Sequence, residues 1–288
     1  TVTSAAPVVA PSGEAAGGAG DDFQTVGPGG KVVMTADALF KGLAAVLEAR
    51  GRKSTDRGEQ ISTLMKLYEG AQTPYQRIRV LLTLVAARFD YSTLASTHMP
   101  IDMWKQARDE LTTLIKLLLE NLSYLVLEET DDYDDQVERK PNENGEGEFV
   151  PVRGSVVSFI DRLEDEFTKS LQNTDPHATE YVERLCDEKL LYQTIVLGQG
   201  YFETVLAQQL PEKMALMVSE PLRRCVMRRL EHIYSKQDVI ILALETANHE
   251  AQPDAPSSRI TPSFEEVRAR EDGPMHLVHA LCVYLYQR

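Results

Sequence analysis

Between Thr35 and Leu127 apolar residues return every three or four positions, the spacing of a helix face turned toward a core. Thr35 is placed to cap a helix that carries Leu39, Leu43, Val46 and Leu47 on one side, with Gly51 closing it. Ser54 or Thr55 caps a second, with Ile61, Leu64, Met65 and Tyr68 inward. Thr73-Pro74 couples a capping hydroxyl to a proline whose fixed φ suits the first helical position. It opens a third helix bearing Ile78, Leu81, Leu82, Val85 and Phe89. Pro100 starts a fourth, whose inner face reads Trp104, Ala107, Leu111, Leu114, Ile115, Leu118. No useful length alternates with period two. Connections of roughly five residues imply antiparallel neighbours stacked as hairpins.

The pattern breaks at 128–151, where acids run throughout and Pro, Asn and Gly gather near the end; like-charge repulsion predicts a flexible acidic loop that projects outward. Helices resume at Arg153, the first presenting Val156, Phe159 (or Ile160), Leu163, Phe167 and Leu171. Asp175-Pro176 is read as the start of the next helix, running from Pro176 to Ala207, followed by helices over Pro221–Tyr234 and Asp238–Asn248. After a linker over Ala251–Pro262 the chain ends in a helical pattern, Met275–Arg288. Its Leu277, Leu281 and Leu285 have no downstream partner in this chain, which together with the missing initiator Met implies a fragment. No fixed-length repeat emerges, so the expected fold is all-α, an irregular solenoid of antiparallel helical hairpins. Its expected parts are a tail over 1–33, a first helical bundle over 34–127, the acidic loop over 128–151 and a second helical segment over 152–288.

Residues 1–33 are rich in Ala, Gly, Pro and Ser and too poor in large apolar side chains to offset ordering entropy, so they are expected to be disordered. Within them, DDFQTVG at 21–27 sets Phe23 and Val26 against a polar background. These are either incidental linker residues or a short docking element that folds on a partner.

With 288 residues and 43% hydrophobic content the chain can bury a sizeable core. A formal net charge of −14 argues against a dedicated nucleic-acid-binding domain and leaves room only for local basic patches. The densest is ARGRKSTDR. Arg50, Arg52 and Lys53 there suit the negative end of a helix dipole, and with Arg57 they also suit recognition of phosphate or of an acidic protein. Cys186, Cys225 and Cys282 stand far apart without a CxxC pair, as buried reduced thiols of a cytosolic protein would. No apolar run approaches the roughly 20 residues needed to span a bilayer, and a cytoplasmic location is expected. No catalytic or nucleotide-binding motif is present, and neither an enzyme, a cofactor nor a metal is expected. His276 and His279 share one helical turn but lack a third ligand, and Asp132-x-Asp134 fails as a calcium loop because Val137 stands where Gly is required.

The string DEFTKSLQNTDPHATEYVERLCDE at 165–188 closely resembles the c subunit of eukaryotic translation initiation factor 3. So do ARGRKSTDR, the MPIDMW that precedes an apolar helix, PVRGSVVSFIDRLEDEF and the DDFQTVG element, in the same order. Beyond Leu190 the resemblance thins and returns at Met275–Arg288. What it implies is the helical region upstream of a PCI domain and its winged helix. The corresponding subunit is a non-catalytic scaffold that pairs with the a subunit, rests on the small ribosomal subunit and engages initiation factors 1 and 5 through an upstream tail. The alternative is a helical member of another PCI-type complex, such as a proteasome-lid or signalosome relative.

Overall fold

The computed structural model describes residues 23–25, 32–52, 55–92, 97–131, 134–141 and 149–254. The architecture is all-α. Among the described residues there are helices α1 (Ala36–Ala49), α2 (Arg57–Gly70), α3 (Pro74–Ser92), α4 (Ile101–Glu120), α5 (Val156–Gln172), α6 (Thr179–Cys186), α7 (Glu188–Leu206), α8 (Glu212–Tyr234) and α9 (Asp238–Ala251). Two short strand pairs accompany them: β1 (Phe23–Thr25) runs antiparallel to β2 (Val32–Met34), and β3 (Tyr124–Leu127) parallel to β4 (Val150–Arg153).

The first half follows its side chains closely. Thr35 Oγ1 accepts from the Ala38 N–H at 3.3 Å, and Gly51 closes α1 with φ of 83°, a conformation that suits a residue without Cβ. Asp56 caps α2, in place of Ser54 or Thr55, accepting from Gly58 N at 2.8 Å. Thr55 is used elsewhere, donating its hydroxyl to the Ala49 carbonyl at the end of α1, which also accepts from the Arg52 N–H. The buried face of α2 is accordingly Ile61, Leu64 and Leu67, while Met65 lies on the surface. Thr73 caps α3, and the predicted faces of α3 and α4 are buried at every position. On α5 it is Ile160 that is buried, while Phe159 lies at the edge and stacks on Phe89.

The second half departs in five places. The chain pairs β3 with β4 where no strand was expected, because the YLVL run that follows α4 is buried on both faces. Asp175-Pro176 forms a turn, with Asp175 accepting from His177 N, and helix begins only at Thr179. The expected single helix from Pro176 to Ala207 is interrupted at Asp187, which ends α6 and starts α7 while its carboxylate pairs with Arg184 and Lys105. Pro221 lies inside α8: the helix persists without that N–H because Val218, Leu222, Cys225 and Val226 keep one face buried. The acidic segment also differs from an outward loop, since Asp135 pairs with Arg79 and Glu138 accepts from Gln76, laying 134–139 back on α3.

Consecutive helices from α1 to α8 are neighbours, whereas α9 packs chiefly on α7, which also packs on α4 and α5 and makes the array irregular. One hydrophobic cluster runs from Met34 to Ile241, across the division expected at 128–151. At its centre α5 and α7 approach so closely that a Cβ on Gly198 would lie 2.5 Å from Ile160 Cδ1. The helix expected at Met275–Arg288 lies outside the described residues.

Candidate interaction surfaces

The end of α1 and the start of α2 meet the C-terminal turn of α3. Arg50 Nε donates to Asp90 Oδ2 at 2.6 Å, and Arg57 Nη1 donates to the Asp90 backbone carbonyl. Two of the four basic residues thus clamp the joint, satisfying a helix-end carbonyl with a cation. Arg52 is exposed beside them. Lys53 lies outside the described residues. Phe23 has its backbone in β1 opposite Met34, and Val26 lies outside the described residues.

The string at 165–188 builds an interior brace. The Arg184 guanidinium lies 4.1 Å from the Trp104 ring centroid and 4.6 Å from that of Phe167, nearly free of solvent. Its Nε donates to Ser170 Oγ at 2.8 Å and its Nη1 to Asp187 Oδ2 at 3.2 Å. Trp104 Nε1 donates to the Leu163 carbonyl at 2.9 Å. Burial pushes the Glu166 carboxyl up, but the bonds from Lys169 and the Met99 N–H outweigh it and hold the group below its ordinary value. Sequence reasoning placed Trp104 and Phe167 in the core and missed Arg184, whose ring partner Trp104 is remote in sequence.

A second brace links α7, α8 and α9. Arg229 Nη2 donates to Glu245 Oε1 at 2.7 Å with both side chains fully buried, Arg229 Nε donates to Tyr192 Oη at 3.0 Å, and Tyr192 Oη donates to Glu245. Next to it His232 stacks on Tyr192 and stands 3.3 Å from Glu188 Oε1 and 3.8 Å from Glu164 Oε1. Burial disfavours the imidazolium, but these carboxylates outweigh it and raise the His232 pKa. The two arginines Arg184 and Arg229 were legible only as charges on otherwise ordinary amphipathic helices.

A groove of about 390 Å³ opens between the end of α1, α3, β4 and the start of α5. Leu47, Leu82 and Phe159 line it together with Arg50, Arg79 and Arg153, and Asp135 reaches into it. Sequence reasoning missed Arg79, although an arginine between Ile78 and Val80 on a buried face was a signal that something would pair with it.

Among the described residues no group of His, Cys, Asp and Glu could hold a metal ion, and no helix is long and apolar enough to cross a membrane. Cys186 is exposed, and Cys225 is buried with its thiol pushed up by desolvation. His276, His279, Cys282 and Asp132 lie outside the described residues. Asp134 accepts from the Gln136 N–H in a local turn.

An all-α array braced internally by aromatic-capped and ion-paired arginines, with basic and apolar surface patches, defines the class as an irregular helical array. Residues 25–288 match the family described as eukaryotic translation initiation factor 3 subunit 8 N-terminus, and the chain belongs to that family. It is 57% identical over 270 residues to the c subunit of eukaryotic translation initiation factor 3 from Mycosarcoma maydis, a match covering 93% of this chain and 29% of the relative. It is 43% identical over 269 residues to the same subunit from Neosartorya fischeri, covering 93% and 30%. The relative from Pyricularia oryzae is 43% identical over 267 residues, covering 92% and 30%. The chain thus spans about three tenths of the length of the relatives it matches. Membership of this family displaces the proteasome-lid or signalosome alternative.

Proposed function

We propose that this chain is the helical scaffold region of the initiation factor 3 c subunit, a non-catalytic part that docks on the small ribosomal subunit and organises other initiation factors during pre-initiation complex assembly. The observation that carries this reading is the family match over 25–288, which covers the whole braced core. Its partners on this reading are other subunits of the factor, the a subunit above all, the small ribosomal subunit, and initiation factors 1 and 5 through sequence upstream. The site is cytoplasmic. Arg50, Arg52, Lys53 and Arg57 are its contact with ribosomal RNA or an acidic neighbouring subunit, and Phe23 and Val26 its linear docking element.

The clamp on Asp90 sharpens the test of the basic contact: Arg50 and Arg57 already hold Asp90, so the substitutions fall on the exposed Arg52 and on Lys53, which lies outside the described residues. Replacing both with Ala should weaken small-subunit association and reduce its logarithmic salt slope by roughly 1.4–1.8, the contribution of two phosphate contacts. An unchanged slope would remove RNA from the joint. Cross-linking mass spectrometry on small-subunit initiation complexes tests the wider reading, with cross-links from Lys41 and Lys53 to ribosomal proteins or factor subunits expected. Their absence from assembled complexes would count against docking through this end.

A further inference from the structure

In a chain of net charge −14 the groove beside α3 reverses the local sign. Arg79 and Arg153, with Arg50 held by Asp90 at the rim, surround an apolar floor of Leu47, Leu82 and Phe159, and the volume of about 390 Å³ is that of a site for side chains and not of a packing defect. Arg79 is almost fully buried, whereas its partner Asp135, 2.7 Å away, is half exposed and comes from the acidic segment between β3 and β4. That segment is tied to β4 on either side of Asp135: Arg153 Nε donates to Thr130 Oγ1 at 3.3 Å, and Arg139 Nη1 donates to the Pro151 carbonyl at 2.8 Å. Between those ties it touches α3 through Asp135 and through Glu138, which accepts from Gln76 Nε2 at 3.4 Å. A carboxylate from the chain's own surface segment therefore occupies an arginine-lined groove whose apolar floor it does not fill.

We infer that this groove docks an acidic segment of a partner protein that carries a large apolar residue beside its carboxylates, and that Asp135 is a resident competitor which the segment displaces. One observation favours a protein segment over RNA: the floor is aliphatic and aromatic, suited to an apolar side chain that a phosphate backbone does not supply, whereas the arginine forks alone accept carboxylate and phosphate alike. The inference does not rest on the ribosome-docking reading, because any acidic partner meets the same chemistry. As a tethered competitor Asp135 acts at high effective concentration, so binding in trans is weak until it is removed.

The test uses the intact chain and a fluorescent peptide, ETDDYDDQVER, identical to residues 129–139 and carrying the carboxylates the groove already accepts beside a Tyr and a Val. Asp135→Ala in the chain should tighten peptide binding about tenfold, the equivalent of one charge-assisted bond no longer competed for. Adding Arg153→Glu should abolish the gain; Arg153 is exposed, so this variant folds even where Arg79→Ala, next to Tyr75 in the core, fails. An oligouridylate of equal charge should not displace the peptide. The inference is overturned if Asp135→Ala binds no more tightly than the unaltered chain, if Arg153→Glu leaves binding intact, or if the oligouridylate displaces the peptide at equal concentration.

Discussion

Around α4 most of the interior is aliphatic and aromatic, with Trp104, Leu111, Leu114, Ile115 and Leu118 all without solvent exposure and one buried cation, Arg184, lying over the Trp104 ring. Between α7, α8 and α9 the interior holds Arg229 and Glu245 as an ion pair, with Tyr192 bridging them and His232 alongside. The first region is stabilised by filled volume, and each atom removed costs in proportion to the hole it leaves. In the second, desolvation consumes most of what the charges gain from each other, so its integrity depends on both partners being present. Similar burial therefore predicts different responses to substitution.

Trp104→Ala should produce the largest loss, about 3–5 kcal/mol in urea unfolding, because it opens a cavity and strips Arg184 of one of its two rings. A loss under about 1 kcal/mol would mean that volume does not govern the α4 region. Glu245→Leu should cost about 3–5 kcal/mol by leaving Arg229 buried without its carboxylate, whereas Arg229→Met combined with Glu245→Leu should recover most of it. Equal losses in the single and double variants would erase the distinction between the two regions. Gly198→Ala lies where they meet and should cost about 1–3 kcal/mol, since its Cβ would drive against Ile160.

The smallest effect is the one that only the second region can show. His232 faces Glu164 from α5 and Glu188 from α7, the latter shared with Lys236 from the turn that ends the helix of His232, and its pKa is raised on folding. Its stabilisation is fully present below the unfolded histidine value of about 6.5 and is lost as pH rises through the folded value. Glu188 runs the opposite way: burial pushes it up, the bonds from His232 and Lys236 outweigh that and lower its pKa, and its contribution is lost as pH falls through the folded value. Stability measured from pH 5 to 9 should decline on the alkaline side with a slope no steeper than about 1.4 kcal/mol per pH unit. His232→Asn should flatten that decline, and a decline that survives the substitution would place the titrating group elsewhere.

The same contrast separates what could be read from sequence. The faces of α3 and α4 were legible residue by residue because apolar spacing, capping Thr73 and Pro100 all agree, and nothing distant overrides them. Downstream, local signals conflicted with packing. Pro221 reads as a helix start until Val218 and Leu222 on either side are seen to share one buried face. Asp175-Pro176 carries the chemistry of a helix cap, yet an Asp followed by Pro serves a tight turn equally well, and the turn is what forms. Of the candidate site, the arginines at the α1–α2 joint were found by their density. The clamp to Asp90 was not, because forty residues separate Arg50 from its partner. The groove escaped for the same reason, its walls coming from α1, α3, β4 and α5.

The parallel pairing of β3 with β4 sets a rule for how this chain can change length. Tyr124 lies opposite Val150 and Leu127 opposite Arg153, so the segment that leaves Leu127 must travel back along the strand before it can re-enter at Val150. A parallel return needs a connection of about a dozen residues or more, which puts a floor under deletions between Glu128 and Phe149. Insertions meet no such wall, since each doubling of a loop costs only about 0.6 kcal/mol of closure entropy. Homologous chains should therefore vary in this stretch by gaining residues far more readily than by losing them.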